Sequence, residues 1–393
     1  MRNVSAGNPE AGHRVAMVLA LLLLAAASSL FRFGQRENEA LPESDSDVYL
    51  DMARVFAGEE ARFDPALRHP AYEPSHHYTR PALPFLAGLL GRYVLGGRYR
   101  TAFSIVNVVA AWAAALLLLS WLPALNAGLR HSWVAPVLFL TGFPQLNWGY
   151  HILTDTMGHA TALGSSMLTV RLIDDADRPG ARPSVTVWIA LFVIQSIGLL
   201  ARQTAWMVPV LTVALLARRG LWRRRPVFAV LLLLTLAAAA LPLAAYLRHY
   251  ELTGYGLPYD FAGDLDPRYV LDFVVKTGAA FHVAWLAAAV GLATFGWQRV
   301  PDALRAWGLA ALLYIGAGYI ANSIDSGGYS LRVSYVLFPL VFYLALASFG
   351  RWRHGRHGSV FATIFCALYA VIGVVGVALD PARGGIRAID LVP

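Results

Sequence analysis

The chain reads as an all-α, polytopic integral membrane protein, a single domain over residues 1–393 with about eleven transmembrane helices, and three observations predict it. Of 393 residues, 57% are hydrophobic and 14% charged, at a mean hydropathy of +0.53, whereas a soluble domain carries about 25% charge. Apolar runs recur from Val15 to Ala378 and leave no interval long enough for a soluble domain. The net charge of +8 is carried almost wholly by arginines, with Lys276 the single lysine, in short strips between the apolar runs. Such strips mark the cytoplasmic ends of membrane helices, and without interleaved exposed aromatics they exclude nucleic acid as a partner. Cys366 is the only cysteine, so neither an intramolecular disulfide nor a cysteine metal cluster is available.

A helix needs about 20 residues to cross the hydrocarbon, or fewer where the bilayer thins. In order, the candidates are Val15–Phe33, Pro81–Leu95, Thr101–Leu122, Trp133–Leu146, Asp155–Ile173, Val185–Leu200, Ala201–Leu216, Phe228–Leu247, Gly278–Phe295, Leu304–Ala321, Arg332–Phe349 and Phe361–Leu379. Val15–Phe33 has the apolar core of a signal peptide, but further spans follow and it is read as an uncleaved first helix. Arg218, Arg219, Arg223, Arg224 and Arg225 mark the cytoplasm, as do Arg351, Arg353 and Arg356, and more weakly Arg98 and Arg100. Arg2 and Arg14 place the N-terminus on the same side. An even number of crossings must then separate Arg80 from Asp155, where three candidates lie. Trp133–Leu146 has 14 residues and ends in Thr141-Gly142-Phe143-Pro144, so it is the first choice for a re-entrant or interfacial element, and Pro81–Leu95 the second. Eleven spans result, with the N-terminus cytoplasmic and the C-terminus outside.

Polar residues concentrate on the outer side. The first loop, residues 34–80, holds ten acidic residues against five arginines, a net charge of −5. Within it Val48, Met52, Val55 and Phe56 recur at helical spacing behind Ser44, Asp45 and Ser46, which predicts a helix over Asp47–Ala57 lying on the outer membrane surface. A second outer loop, residues 248–277, carries Tyr250, Tyr255, Tyr259, Phe261 and Tyr269, and a third, residues 322–331, carries Asp325.

Chemistry-bearing residues cluster at these outer boundaries. Asp45 and Asp47 stand two apart at the mouth of a helix and can face one aqueous cavity while Tyr49 and Asp51 point elsewhere. A carboxylate at an apolar boundary holds its proton more tightly and can serve a hydroxyl acceptor as a base, although an N-cap in a solvated acidic loop uses the same residues. Asp155 begins a span beside Thr154, where either can cap the helix, and His151 and His159 add polar character, His159 one turn beyond Asp155. With His76 and His77 these histidines lack the spacing of a zinc site. Arg202, followed by Gln203 and Thr204, sits between two apolar runs, and Arg332 begins another. An arginine there is costly unless it faces water or an anion, and its fork suits a phosphate, with snorkelling to headgroups the alternative. His76, His77, Tyr78 and Arg80 precede Pro81 and can hold a pyrophosphate or a sugar, or anchor the interface.

Taken together, these motifs resemble those of the GT-C superfamily of polytopic glycosyltransferases, the group of polyprenyl- or dolichyl-phosphate-sugar-dependent mannosyltransferases and aminoarabinose transferases. Asp45-Ser46-Asp47-Val48-Tyr49-Leu50-Asp51 resembles the first outer-loop acidic motif, Arg80-Pro81-Ala82-Leu83-Pro84 the element after that loop, and Leu153-Thr154-Asp155 the second acidic motif. Ala201-Arg202-Gln203-Thr204 is similar to an Arg-Glu-Thr element, with Gln203 in place of the acid, and Leu331-Arg332-Val333-Ser334-Tyr335 to the start of a late core helix. The resemblance implies an inverting glycosyltransferase of the cell envelope, in a bacterial cytoplasmic membrane, with its site facing outward. A sugar would pass from a polyprenyl-phosphate donor to a lipid, glycan or protein acceptor. It implies Asp45 as general base with Asp47 second, Asp155 beside them, and Arg202, Arg332, Arg80, Tyr78 and His77 on the donor phosphate. His76, His151, His159, Gln203 and Tyr335 would line the cavity. No cofactor is required, and a divalent cation is compatible because some relatives use one. Two other classes share the polar constellation: a transporter or flippase of a lipid-linked or anionic substrate, which calls for paired half-structures, and a non-enzymatic membrane assembly subunit, which needs no such constellation.

Overall fold

In the computed structural model, the described residues are 44–59, 80–126, 129, 131–150, 152, 154–180, 183–249, 267–321, 333–349 and 356–378. They form helices and turns with no strand among them, an all-α bundle. The first helices are α1 (Ser44–Phe56), α2 (Ala82–Tyr93), α3 (Tyr99–Leu125), α4 (Val134–Thr141), α5 (Asp155–Asp177), α6 (Val185–Ala201) and α7 (Met207–Arg218). They are followed by α8 (Pro226–Ala238), α9 (Leu241–His249), α10 (Pro267–Phe295), α11 (Asp302–Ala321), α12 (Phe338–Phe349) and α13 (Arg356–Ala378).

The bundle is membrane-associated, but the count of eleven spans is not met. Among the described residues four helices are long and apolar enough to cross: Tyr99–Leu125, Pro226–His249, Thr277–Phe295 and Val360–Val377. Val185–Ala201, Gln203–Arg218 and Tyr335–Phe349 are apolar but shorter. The shortfall has physical causes. At Arg202, where two candidates were expected to meet, an extended backbone (φ −166°, ψ 153°) stops α6 and starts a 3-10 turn, Gln203–Trp206, so the helices on either side stay short. The α5 helix has the length, 23 residues, but carries Asp155, His159, Arg171, Asp174, Asp175 and Asp177 among small polar residues. Val15–Phe33 lies outside the described residues.

Both segments that parity singled out are short. Pro81–Leu95 folds as the 12-residue α2, about 18 Å at 1.5 Å per residue and well short of the hydrocarbon. Trp133–Leu146 folds as the 8-residue α4, every residue buried, followed by a π-turn over Gln145–Gly149. Gly142 leaves the helix in extended conformation (φ −63°, ψ 143°). The carbonyls orphaned by that early stop are met from other elements: the Tyr335 hydroxyl donates to the Phe139 carbonyl at 3.0 Å and the Tyr150 hydroxyl to that of Leu140 at 3.2 Å. Only α3 among the long helices therefore lies where parity requires an even number.

Two large apolar clusters fill the bundle, beside a small third one of Leu199, Ala205 and Ala239. The larger joins α3, α4, α5, α7, α10, α11 and α12 around Trp121, Trp307, Phe139, Phe281, Tyr335, Phe338 and Phe342. The smaller joins α1, α2 and the start of α3 to Ile152, Met157 and Ala201. The first-loop helix exists, but it does not rest its apolar stripe on lipid: Val48, Tyr49, Met52 and Ala53 are fully buried against protein. Gly88 makes that packing feasible, since a Cβ there would stand 2.3 Å from the Ala53 carbonyl oxygen. The apolar faces left outward, such as Val227, Val230, Leu231 and Leu234 on α8, are what a lipid-embedded surface presents.

Candidate functional site

The site is assembled where α1 covers the segment leading into α5. Ser46, on the first turn of α1, reaches the Ile152 carbonyl at 3.5 Å, and Ser104 of α3 reaches that of Tyr150 at 3.4 Å. Thr156 and Gln145 bond to each other at 3.2 Å, tying the start of α5 back to the π-turn. These contacts fix the approach to Thr154 and Asp155. They also bring the first turn of α1, with Asp45 and Asp47, onto that approach; the side chains of these two residues lie outside the described residues.

Arg202 and Asp155 form a buried ion pair, with Nη2 3.0 Å from Oδ1 and the side chains 3% and 7% exposed. Arg202 Nη1 also donates to the Thr154 hydroxyl at 3.2 Å. Thr154 occupies the N-cap position without a side-chain cap bond, so its hydroxyl serves Arg202 and not the helix. The extended backbone at Arg202 throws the guanidinium across to α5, and Gly158 makes room for it: a Cβ there would stand 2.7 Å from Thr204 Oγ1 and 2.8 Å from the Arg202 Cβ. From α6, Gln195 donates Nε2 to the Ala205 carbonyl at 2.9 Å and holds the turn that presents Arg202.

The second buried cation is Arg80. Its Nη1 donates to the Tyr49 hydroxyl at 3.1 Å, linking the entry of α2 to α1. Tyr49 is thus held by Arg80, and its hydroxyl accepts that bond inside the protein. His159 and Tyr335 are brought together: both are buried, with His159 edge-on to the rings of Tyr335 at 5.9 Å and Phe338 at 5.7 Å. Gln203 is half-buried at the start of the 3-10 turn. His76, His77, Tyr78, His151 and Arg332 lie outside the described residues. Among the described residues no three His, Cys, Asp or Glu side chains gather as a metal-holding group.

Sequence reasoning overlooked Gly158, Gln195 and the role of Tyr49. Gly158 and Gln195 carried no signal, being a small residue and an amide in helix interiors, and the Tyr49 bond to Arg80 joins residues 31 apart.

The arrangement is that of a membrane-associated helical bundle with a buried arginine–carboxylate pair whose neighbours Met157 and Ala201 pack against the first-loop helix. No family profile and no curated protein matches the chain. A solved structure does share its fold, the crystal structure of ArnT from Cupriavidus metallidurans bound to undecaprenyl phosphate. The match has a TM-score of 0.59 at 15% identity and covers 95% of this chain. The chain spans 66% of the length of that protein. The likeness at this identity is one of fold, over most of the chain's own length.

Proposed function

We propose that the protein is an inverting glycosyltransferase that moves a sugar from a polyprenyl-phosphate carrier to a lipid, glycan or protein acceptor at the outer face of the cytoplasmic membrane. The observation that carries this reading is the fold shared over 95% of the chain with a protein crystallised on undecaprenyl phosphate. The site supports it with Arg202 and Arg80 as buried cations suited to a phosphate, joined in this reading by Arg332, Tyr78 and His77. Asp45 takes the acceptor proton, Asp47 shapes the site beside it, and Asp155 holds Arg202. Catalysis by position and charge needs no covalent intermediate.

The test incubates purified protein with a panel of polyprenyl-phosphate sugars and membrane extract, following label transfer by mass spectrometry. Transfer of one sugar to an extract component is expected; no transfer from any donor removes the reading. Orientation is tested with cysteines introduced at the exposed positions Glu59 and Arg223 in a Cys366-free background. Opposite-side labelling is expected, and same-side labelling places the site on the wrong face.

A further inference from the structure

The charge of Arg202 is already committed within the protein. One Asp155 oxygen lies 3.0 Å from Nη2, the Thr154 hydroxyl takes Nη1, and both charged side chains are buried. As a unit the pair is neutral, so its attraction for an approaching anion is largely cancelled unless the guanidinium changes partner. Arg202 divides its two outer nitrogens between a carboxylate and a hydroxyl, whereas a phosphoryl group can take both prongs of the guanidinium at once. Beside it stands a second donor without a partner: Thr204 Oγ1 is buried and makes no hydrogen bond among the described residues. The Thr204 hydroxyl and the Arg202 stem meet the same spot on α5, next to Gly158.

Resting on the donor reading above, we propose that Asp155 tunes Arg202 to the leaving phosphate and away from the intact donor. In transfer the acceptor oxygen bonds to the anomeric carbon, and the bond from that carbon to the phosphate oxygen breaks. Its electron pair stays on the phosphate, and the acceptor hydroxyl proton passes to Asp45. The lipid phosphate thereby turns from a diester with one negative charge into a monoester carrying up to about two at neutral pH. Asp155 carries one charge and is already in place, so Arg202 stays on it while the diester is intact. The second charge, growing as the bond breaks, draws the guanidinium across, with the Thr204 hydroxyl as an added donor. An interaction that strengthens only as the bond breaks lowers the barrier, whereas one made equally with the donor does not. Asp155 is on this account a positioning residue acting through Arg202.

The experiment measures dissociation constants for undecaprenyl phosphate and for its methyl diester in one detergent, for wild-type, D155N and R202Q proteins. The wild type is expected to prefer the monoester by about 10-fold or more, the scale of a close charge pair. D155N is expected to bind the diester more tightly than the wild type does and to narrow the preference to within about threefold, and R202Q to bind both esters weakly without preference. The wild type also decides the matter alone if D155N does not fold: the infrared carboxylate band of protein labelled with 13C-aspartate shifts on adding the monoester and not the diester. The same ester preference in D155N as in wild type, or equal band shifts with both esters, overturns the tuning and leaves the donor reading intact. Failure of both esters to bind wild-type protein removes the donor reading, and the proposal with it.

Discussion

The bundle carries arginine–aspartate pairs at both ends of α5, and they differ in one physical variable. At the start of the helix Arg202 and Asp155 are 3% and 7% exposed. At its far end Asp174 and Asp177 meet Arg219, at 2.5 and 3.9 Å, and Asp177 also meets Arg224 at 3.0 Å, all substantially exposed. Nearby, Arg218 and Arg305 share Asp302 at 2.6 Å each. In the wet cluster, water and salt do much of what a partner would do. In the dry pair water is largely shut out, so each charge depends on the other and on the polar groups built around it. Burying an ion pair seldom adds stability over apolar packing, and that makes the dry end of α5 the place to seek function.

The largest expected effect lies in that pair. Arg202→Met should leave Asp155 buried without its counter-charge and cost about 3–5 kcal/mol, while the R202M/D155N double variant should recover most of the loss. Reversible unfolding in mixed micelles reads both. A single variant as stable as the wild type would mean that the contact is wet after all, and the comparison between the two ends would collapse.

Activity should divide the ends in the same way. D45N preserves size while removing basicity, so it should lower transfer by about 100-fold or more with donor affinity nearly intact. D47N should be milder, and R223A, in the exposed arginine strip of the other end, should leave transfer unchanged. Near-native turnover in D45N removes that residue from the mechanism, and a selective collapse in D47N moves the role two residues along.

How far the sequence foretold this contrast depends on how local each signal is. Arg202 was legible because a charge between two apolar runs must end a helix or find an anion, and it did both. Its partners were legible as a separate acidic motif, but their pairing was not, since Thr154 and Arg202 stand 48 residues apart. The first-loop helix was legible from its stripe, and its covering was not, because the same stripe serves lipid or protein and only Gly88 against Ala53 decides. Span counting failed on length, not on position: Val185–Ala201 and Gln203–Arg218 fold where expected on either side of Arg202, but each is shorter than a helix that crosses unaided. His159 and Tyr335 were expected to line a cavity; that their rings would meet was not legible, since 176 residues separate them.

Next in size is Arg219. Acidic residues in the last turn of a helix oppose its dipole, and α5 ends in Asp174, Asp175 and Asp177, so Arg219 offsets both their mutual repulsion and the dipole. Arg219→Ala should cost about 1 kcal/mol at low salt, less than a third of the effect at Arg202, because the partners remain open to water. A loss equal to that of R202M would show that the far end is as dry as the near one.

The smallest effect is expected at Asp302. Although Asp302→Asn breaks two contacts at once, with Arg218 and Arg305, the Arg218 side chain is 45% exposed and the carboxylate 31%. Its position in the first turn of α11 adds a favourable dipole term that the amide forfeits, yet the amide oxygen still accepts a hydrogen bond from either arginine. The sum should stay below about 1 kcal/mol and shrink toward zero near 0.5 M salt, where the screening length falls to about 4–5 Å. Unfolding midpoints for D302N and R202M taken across a salt series therefore separate the two kinds of pair. The D302N difference should vanish with salt while the R202M difference persists, because counter-ions reach Asp302 and do not reach Asp155. A salt-independent loss at Asp302 would mean that its carboxylate is held in a dry contact with α7, and that the arginine strip locks the bundle as firmly as the pair beneath the first-loop helices.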